Sequence, residues 1–218
     1  MKRTFFSLAL LLAVATLTAQ TKMTAREAAV KIADRILAST TYEFKNTKTG
    51  ETYKSVKKLP LDMDVKVACK YNNWHYTNGV TNMALMELGD KLGDKKYEKY
   101  VLKNMNFVFN EGNLDFFRKQ YDEAFKRDGW NAVRKLSWHM IFRGKRLDDN
   151  GPMGASLIEL QLKYPNDSFL GYINETAEHL NYGEPRLVDG TIARIWPHVN
   201  TIWADDAFMA ISFLARMG

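Results

Sequence analysis

Cysteine is almost absent from this sequence, and histidine is sparse. Cys69 is the only cysteine among the 218 residues, so the chain cannot form an internal disulfide and its fold depends on packing. The histidines do not have the spacing of zinc ligands, and we therefore expect no metal site. They stand at four isolated positions: His75, His139, His179 and His198.

A concentrated stripe of positive charge is also missing. Lysine and arginine number 31 against 25 acidic residues, which gives a formal net charge of +6. The densest lysine group lies in residues 91–99, where Asp94 and Glu98 interrupt it. Such mixing is typical of a solvated helix face, and nucleic-acid binders carry a clustered basic surface instead. We expect no nucleic-acid partner.

The first twenty residues, MKRTFFSLALLLAVATLTAQ, hold a long apolar run. Lys2 and Arg3 precede apolar residues 5–14, and the small residue Ala19 follows. This order predicts a secretory signal peptide over residues 1–19. The alternative is a short membrane anchor, but the run is too short to span a bilayer. We expect an exported protein, periplasmic or extracellular, without stable membrane insertion, whose mature domain is 20–218.

Strand alternation is nearly absent from the remaining chain, and apolar residues recur at helical spacing. Thr24 and Glu27 form a capping box before a helix that reaches about Ser39, and residues 40–62 read as a long polar connection. The predicted class is all-α, built from antiparallel helical hairpins. Further helices are predicted over 80–92, 95–108, 114–126 and 130–142, after a first turn containing Pro152, after a cap at Asp167 or Ser168, and from Trp203 onward.

An aromatic group stands before the second predicted helix, in the stretch YNNWHYTNGV. Trp74, His75 and Tyr76 are adjacent there. Aromatic rings with polar tips can form one wall of a sugar site. The alternative is that they pack in the core with their polar atoms at the surface, and the residues alone leave both possibilities open.

Consecutive aspartates open the stretch LDDNGPMGA. Asp148, Asp149 and Asn150 are residue types favoured at helix N-caps and first turns, where the helix dipole stabilises carboxylates. The spacing of acids and glycine does not match a calcium-binding loop. A purely structural origin therefore explains this stretch when it is taken alone.

A second aspartate pair opens the last helix, in TIWADDAFMAISFLARMG. Successive helical residues point about 100° apart, so Asp205 and Asp206 cannot both face one cleft. Apolar residues follow on two rows, and we expect the helix to be largely surrounded by protein. One aspartate should then cap the helix while the other meets a cavity, where desolvation raises a carboxyl pKa toward the range of a general acid.

These stretches occur in one order that resembles a known family. WHYTNGV, LDDNGPMGASLIEL, DSFLGYINETAEHL and RLVDGTIARIWPHVNTIWADDAFMAISFLARMG are similar to the unsaturated rhamnogalacturonyl hydrolases of glycoside hydrolase family 105. The unsaturated glucuronyl hydrolases of family 88 are more distant relatives. The resemblance covers the chain from about Trp74 onward and implies an (α/α)6 barrel with a cleft at one end.

The resemblance implies hydrolysis of a pectin-derived oligosaccharide without metal or cofactor. The enzyme would protonate the C4=C5 bond of a Δ4,5-unsaturated galacturonic acid at the non-reducing end, and water would add at C5. Asp205 matches the proton donor, and Asp149 or Asp148 matches the second acid, with Asp149 preferred. The substrate-binding positions that it implies are Trp74, Tyr76, Asp148, Arg194, His198 and Trp203.

The helix count departs from the family pattern. An (α/α)6 barrel needs about twelve helices, whereas this sequence predicts roughly seven. We therefore expect the chain to be the N-terminal part of a longer enzyme. The alternatives are a truncated, non-catalytic helical protein that binds carbohydrate or acts as a scaffold, and an enzyme that prefers unsaturated glucuronyl residues.

Overall fold

A computed structural model describes residues 23–143 and 146–218, so the predicted signal peptide, 1–19, lies outside the described residues. The described chain is mostly helical, and the all-α class is confirmed; closure into an (α/α)6 barrel stays a prediction. No helix of the described ranges has the length and apolarity that a membrane crossing requires. The helices are α1 Ala25–Ser39, α2 Tyr76–Leu92, α3 Lys96–Val108, α4 Glu111–Val133, α5 Met140–Arg143, α6 Leu147–Lys163, α7 Asp167–Glu178 and α8 Ala204–Met217, with a short 3-10 turn at Val56–Lys58 and a π-helical turn at His179–Gly183.

Two compact units divide at Arg35, within α1. The described part of the first unit contains the start of that helix. The backbone N–H of Thr24 donates to the Glu27 carboxylate at 2.8 Å, and the Glu27 N–H donates to the Thr24 hydroxyl at 3.2 Å. The predicted capping box is therefore confirmed. The second unit is Ile36–Gly218, and it contains the strands, the other helices and the cleft.

A small antiparallel sheet occupies the region predicted as a connection. Its strands are β1 Phe44–Asn46, β2 Thr52–Tyr53 and β3 Val65–Val67, in the order β2-β1-β3. The long polar connection predicted over 40–62 thus contains β1 and β2, and β3 follows it; the strands were missed because two or three residues are too few to show alternation.

Helix α4 is longer than predicted, and the helix predicted over 130–142 is mostly absent. The backbone of α4 leaves helical geometry at Asp128 and Gly129, which has a φ of 51° and a ψ of −138°, and resumes until Val133. Further on, buried Trp138 adopts a positive φ of 61°, which side chains other than glycine rarely take in a helix. The next described helix, α5, begins after this turn at Met140.

Other helices begin earlier than predicted. Helix α2 begins at Tyr76, and α6 begins at Leu147, so Pro152 lies in the second turn of α6 and not in the first. Helix α7 is capped one residue early: the Asn166 side chain accepts from the backbone N–H groups of Ser168 and Phe169 at 2.9 and 3.3 Å. Each shift brings a polar residue into the first turn or the cap.

Helices α2 and α6 pack side by side in the same direction. Near their N-termini, a Cβ built on Gly79 would lie 2.6 Å from the carbonyl oxygen of Pro152. Toward their C-termini, Lys163 Nζ lies 3.2 Å from Asp90 Oδ1. Contacting residues therefore advance together along both helices, and the two N-termini lie at the same end.

Helices α6 and α8 approach each other even more closely. A Cβ on Gly151 would lie 1.7 Å from the carbonyl oxygen of Met209, so only glycine permits this contact. Nearer the C-termini, Arg216 Nε lies 2.7 Å from Glu159 Oε1. Helix α8 is thus also parallel to α6, and the N-termini of α2, α6 and α8 converge at one end of the helical layer.

Only one face of α8 is buried. Met209, Ala210 and Phe213 pack inward, whereas Phe208 and Ile211 are about half exposed. The expectation that protein surrounds both apolar rows was wrong for the described residues. Helix α6 covers one side of α8, and the described chain places no helix on the other.

Candidate active site

One arginine joins the first turns of α6 and α8. Arg194 Nε lies 2.8 and 2.7 Å from the two carboxylate oxygens of Asp206, and its Nη2 lies 2.9 Å from Asp148 Oδ1. Its backbone N–H donates to the Thr201 carbonyl at 2.8 Å within an irregular segment. The bridge fixes the spacing between the two acidic helix starts, because each charge is compensated by the same guanidinium.

Both carboxylate oxygens of Asp206 are engaged within the protein. Its side chain is buried, and besides binding Arg194 it accepts from the backbone N–H of Trp203 at 3.1 Å. This bond caps α8, which confirms the prediction that one of the two aspartates is a capping residue. The Arg194 guanidinium also lies over the Trp203 ring, 4.3 Å from its centroid.

Asp205 is the contrasting member of the pair. Its side chain is 53% exposed, and its Oδ1 lies 4.0 Å from Arg194 Nη2, which is beyond hydrogen-bond distance. It is the second residue of α8, at the helix N-terminus. A carboxyl in this position can meet a ligand without first breaking an internal bond.

Asp149 is buried beneath the first turn of α6. Both of its carboxylate oxygens accept from the Arg143 guanidinium, and its backbone carbonyl accepts from Trp74 Nε1 at 2.7 Å. Burial raises the pKa of Asp149, and the Arg143 bonds oppose that rise. Asp148 is different: its side chain is 28% exposed and faces a cleft.

The cleft beside these acids has a volume of about 450 Å³. Guanidinium groups, carboxylates and apolar side chains form its walls, a mixture suited to an anionic sugar. Across the described ranges, no group of three or more His, Cys, Asp or Glu is arranged to hold a metal ion. The residues that line the cleft are Arg143, Arg146, Leu147, Asp148, Glu184, Arg194, Ile195 and Trp196.

Trp74 supports the acids from below and has no exposed surface. Its ring is fully buried, and it packs edge-on against Tyr172 with the centroids 4.7 Å apart. Of the two possibilities left open by the sequence, its position is that of a core residue. Trp74 was predicted to contact the substrate, but its side chain has no accessible surface with which to do so. Its indole N–H instead holds the backbone carbonyl of Asp149.

Tyr76 and His75 lie at the start of α2. Tyr76 is partly buried, and its ring centroid is 4.5 Å from that of His75. The backbone N–H of Thr77 donates to His75 Nδ1 at 3.3 Å, so this nitrogen is an acceptor. Burial lowers the pKa of His75, which favours the neutral ring with its proton on Nε2.

His198 and Trp203 are the remaining predicted residues. His198 is exposed, and its backbone carbonyl accepts from the Thr201 hydroxyl at 2.8 Å. Trp203 is 42% exposed beneath Arg194. The structure thus brings together Asp148, Asp205, Arg194 and Trp203, whereas no bond from the His198 side chain joins it to them within the described residues.

Sequence reasoning missed several cleft residues. Arg143 and Arg146 stand six and three residues before Asp149, so the basic run ahead of LDD was an available signal. Glu184 gave no such signal. Its side chain is 7% exposed and forms a hydrogen bond with His179 Nε2 at 3.0 Å, and burial raises its pKa. Trp196 reaches the cleft only through the fold of the segment before α8.

Comparison with known families adds one match. The model of the family described as Glycosyl Hydrolase Family 88 matches residues 54–218, a stretch that contains both aspartate pairs and the cleft. No curated protein matches the chain. The predicted relation to family 88 is confirmed at the level of the family, and the match supports an unsaturated uronyl glycoside hydrolase.

Proposed function

The chain belongs to glycosyl hydrolase family 88, and from this premise we propose that it removes Δ4,5-unsaturated galacturonic acid from the non-reducing end of rhamnogalacturonan oligosaccharides. Its class is that of a glycoside hydrolase with a carbohydrate substrate. The choice of a galacturonyl substrate from pectin rests on the resemblance of the LDDNGPMG and WADDAFM stretches to family 105.

The observation that carries the proposal is that two adjacent aspartates differ in burial and in hydrogen bonding. Asp206 is buried, caps α8 and binds Arg194, whereas Asp205 is 53% exposed and 4.0 Å from the same arginine. A proton donor must reach the substrate and must exchange its proton with solvent between turnovers. The exposure of Asp205 supports proton exchange, and its distance of 4.0 Å from Arg194, which lines the cleft, supports access to a sugar bound there.

In the proposed reaction, Asp205 donates its proton to C4 of the C4=C5 vinyl ether, and positive charge develops at C5. The Asp205 carboxylate then takes a proton from a water molecule as the water oxygen bonds to C5. The resulting hemiketal opens to a C5 ketone, and the C1 hemiacetal that remains releases the leaving sugar. Asp205 regains its starting protonation state, so the cycle needs no added oxidant or reductant.

Asp148 is the better candidate for the second acid. It lines the cleft and is 28% exposed, whereas both Asp149 oxygens are held by Arg143. Arg194 holds Asp148 at 2.9 Å, so the carboxylate stays at the cleft wall, where we propose that it stabilises the positive charge on the sugar. The preference for Asp149 stays a prediction, and Asp148→Asn and Asp149→Asn separate the two assignments.

The test is the loss of ultraviolet absorbance when the conjugated C4=C5 bond is hydrated. The full chain is incubated with an unsaturated galacturonyl-rhamnose disaccharide, and we expect absorbance to fall with the wild type and to stay constant with Asp205→Asn. Absence of any loss with both galacturonyl and glucuronyl disaccharides contradicts the hydrolase and favours a carbohydrate-binding or scaffold protein.

An unsaturated glucuronyl substrate is the second candidate. It is favoured by the match to the family 88 model, because the unsaturated glucuronyl hydrolases are the family 88 enzymes that the sequence resembles. The ratio of kcat/KM for the two disaccharides decides between them. A ratio in favour of the glucuronyl compound rejects the galacturonyl proposal and leaves the role of Asp205 intact.

We also propose that the protein is exported and acts in the periplasm or outside the cell. The support is the order of basic, apolar and small residues in 1–19. N-terminal sequencing of the protein from the periplasmic and extracellular fractions should begin at or near Gln20. A cytosolic protein that retains Lys2 and Arg3 contradicts export.

A further inference from the structure

The acids around the cleft neutralise two of its three arginines. Arg143 is bound by Asp149, and Arg194 is bound by Asp206 and Asp148. Arg146 also lines the cleft, but no carboxylate of the described residues lies within ion-pair distance of its guanidinium. The cleft therefore offers one guanidinium whose charge is available to a ligand.

The position of Arg146 is fixed from both ends. Its backbone carbonyl accepts from the N–H groups of Asp149 and Asn150 at 3.0 and 3.3 Å, which ties its Cα to the start of α6. Its guanidinium carbon lies 4.8 Å from the centroid of the Trp196 ring. A guanidinium stacked on an aromatic face keeps its N–H edge free to bind a planar anion.

We propose that Arg146, supported by Trp196, binds the carboxylate of the sugar and so makes the cleft selective for uronic acids. The inference deepens the proposed function and rests on it. A carboxylate accepts two parallel N–H bonds from a guanidinium edge, which gives geometric as well as electrostatic selectivity. Arg194 was predicted as a substrate-binding residue, but its Nε and Nη2 are already engaged by Asp206 and Asp148.

The position of the carboxylate on the sugar indicates that Arg146 contributes to substrate affinity and not to the rate of proton transfer. The sugar carboxylate is attached to C5, the carbon that gains positive charge when C4 is protonated. A fixed cation on that carboxylate binds the ground state at least as well as the transition state. Its removal should therefore raise KM and leave kcat largely unchanged.

The experiment compares Arg146→Gln with wild type on two forms of the unsaturated disaccharide, the free acid and its methyl ester. Loss of a charged hydrogen-bond pair should raise KM for the free acid by about tenfold to a hundredfold, with little change for the ester. Arg146→Lys should lie between, because lysine keeps the charge without the fork. An equal KM change for acid and ester overturns the proposal.

A matched control is available on the same chain. Arg118 is also an exposed arginine stacked on an aromatic ring, 4.5 Å from the centroid of Phe142, and it lies outside the cleft. Arg118→Gln should leave KM for both substrate forms unchanged. If it raises KM for the free acid as much as Arg146→Gln does, general loss of positive charge explains the effect and the assigned subsite is wrong.

A binding measurement separates this inference from the proposed reaction. Titration calorimetry with D-galacturonate and with its methyl ester should show that the wild type prefers the acid and that Arg146→Gln loses the preference. This result supports the subsite even if no unsaturated sugar is hydrolysed. A wild type without preference, or a variant that keeps it, overturns the subsite even if hydrolysis is observed.

Discussion

The two aspartate pairs occupy the same places at the starts of α6 and α8. Asp148 and Asp205 are each the second residue of a helix, and Asp149 and Asp206 are each the third. In both helices the third residue is buried and bound to an arginine, while the second is more exposed. The arrangement suggests a common division, in which one acid fixes the helix start and the other remains available to a ligand.

The difference between the pairs lies in the second position. Asp148 is held by Arg194 at 2.9 Å, whereas Asp205 stays 4.0 Å away from it. Because the two helices are parallel and nearly touch at Gly151, the same guanidinium can reach both starts yet bond to only one of the exposed acids. Identical sequence pairs thus give one anchored carboxylate and one free carboxylate.

Substitution of the second-position aspartates, Asp205 and Asp148, should have the largest effect on turnover. Asp205→Asn should lower kcat by about 10²-fold to 10⁴-fold, as expected for loss of a general acid, with the midpoint of urea unfolding almost unchanged. Asp148→Asn should lower kcat less than Asp205→Asn does and should also weaken the anchor on Arg194. Absorbance kinetics on the unsaturated disaccharide measure both.

If the order of the two kcat losses is reversed, the proton donor lies on α6 and not on α8. If Asp148→Asn abolishes turnover while Asp205→Asn keeps most of it, Asp148 is the proton donor. Asp149→Asn serves as the reference for the earlier preference: a loss of kcat with unchanged folding would restore Asp149 as the second acid.

Removal of the third-position acids should affect stability first. Asp149→Asn leaves the largely buried Arg143 without its carboxylate, and we expect the free energy of unfolding to fall by about 3 to 5 kcal/mol. Asp206→Asn should cost less, because Asp148 still binds Arg194 at 2.9 Å. Urea denaturation followed by circular dichroism measures the loss. A similar loss in Asp205→Asn would erase the distinction between the buried and exposed members.

The close approach of α6 and α8 sets the spacing between the pairs. Gly151→Ala should destabilise the fold by about 1 to 3 kcal/mol through overpacking and reduce turnover by separating the helix starts. Gly171→Ala is the matched control, since no atom lies within 4 Å of the added Cβ on α7; it should be neutral or slightly stabilising. Equal behaviour of the two variants would mean that α8 can shift freely.

At the opposite end of α6, Glu98 of helix α3 is an acid with a structural role. Lys163 and then Tyr164 donate to Glu98 at 2.6 and 2.5 Å and hold its pKa below the usual value. A lowered pKa means that this stabilisation is present above the unfolded-state pKa and is lost as pH falls through the folded-state pKa. Glu98→Gln should cost about 1 kcal/mol at neutral pH.

The pH dependence distinguishes this cluster from the active end. The stability difference between wild type and Glu98→Gln should shrink below about pH 4, near the ordinary glutamate pKa, and kcat should be unchanged at neutral pH. Urea unfolding across pH measures the first and absorbance kinetics the second. A difference that grows toward acid, or a loss of kcat, contradicts the structural role.

Local patterns predicted the helices and the acids, but not their partners. The capping box at Thr24 and the capping role of one aspartate in the last pair follow from chemistry within three residues, so they were predictable. The bridge from Arg194 to Asp148 spans 46 positions, and no local pattern encodes it. The turn at Trp138 was missed for the same reason, since Asn73, far away in sequence, accepts its backbone N–H at 2.9 Å.

The contact at Gly151 has a consequence for how this site could change over time. Backbone meets backbone there, so the distance between the two acid pairs is set by the main chain and is insensitive to which side chains fill the surrounding core. The segment that carries Ile195 and Trp196 forms a separate wall of the cleft. Mutations in that wall can therefore explore new sugars while the spacing of the acids is inherited unchanged.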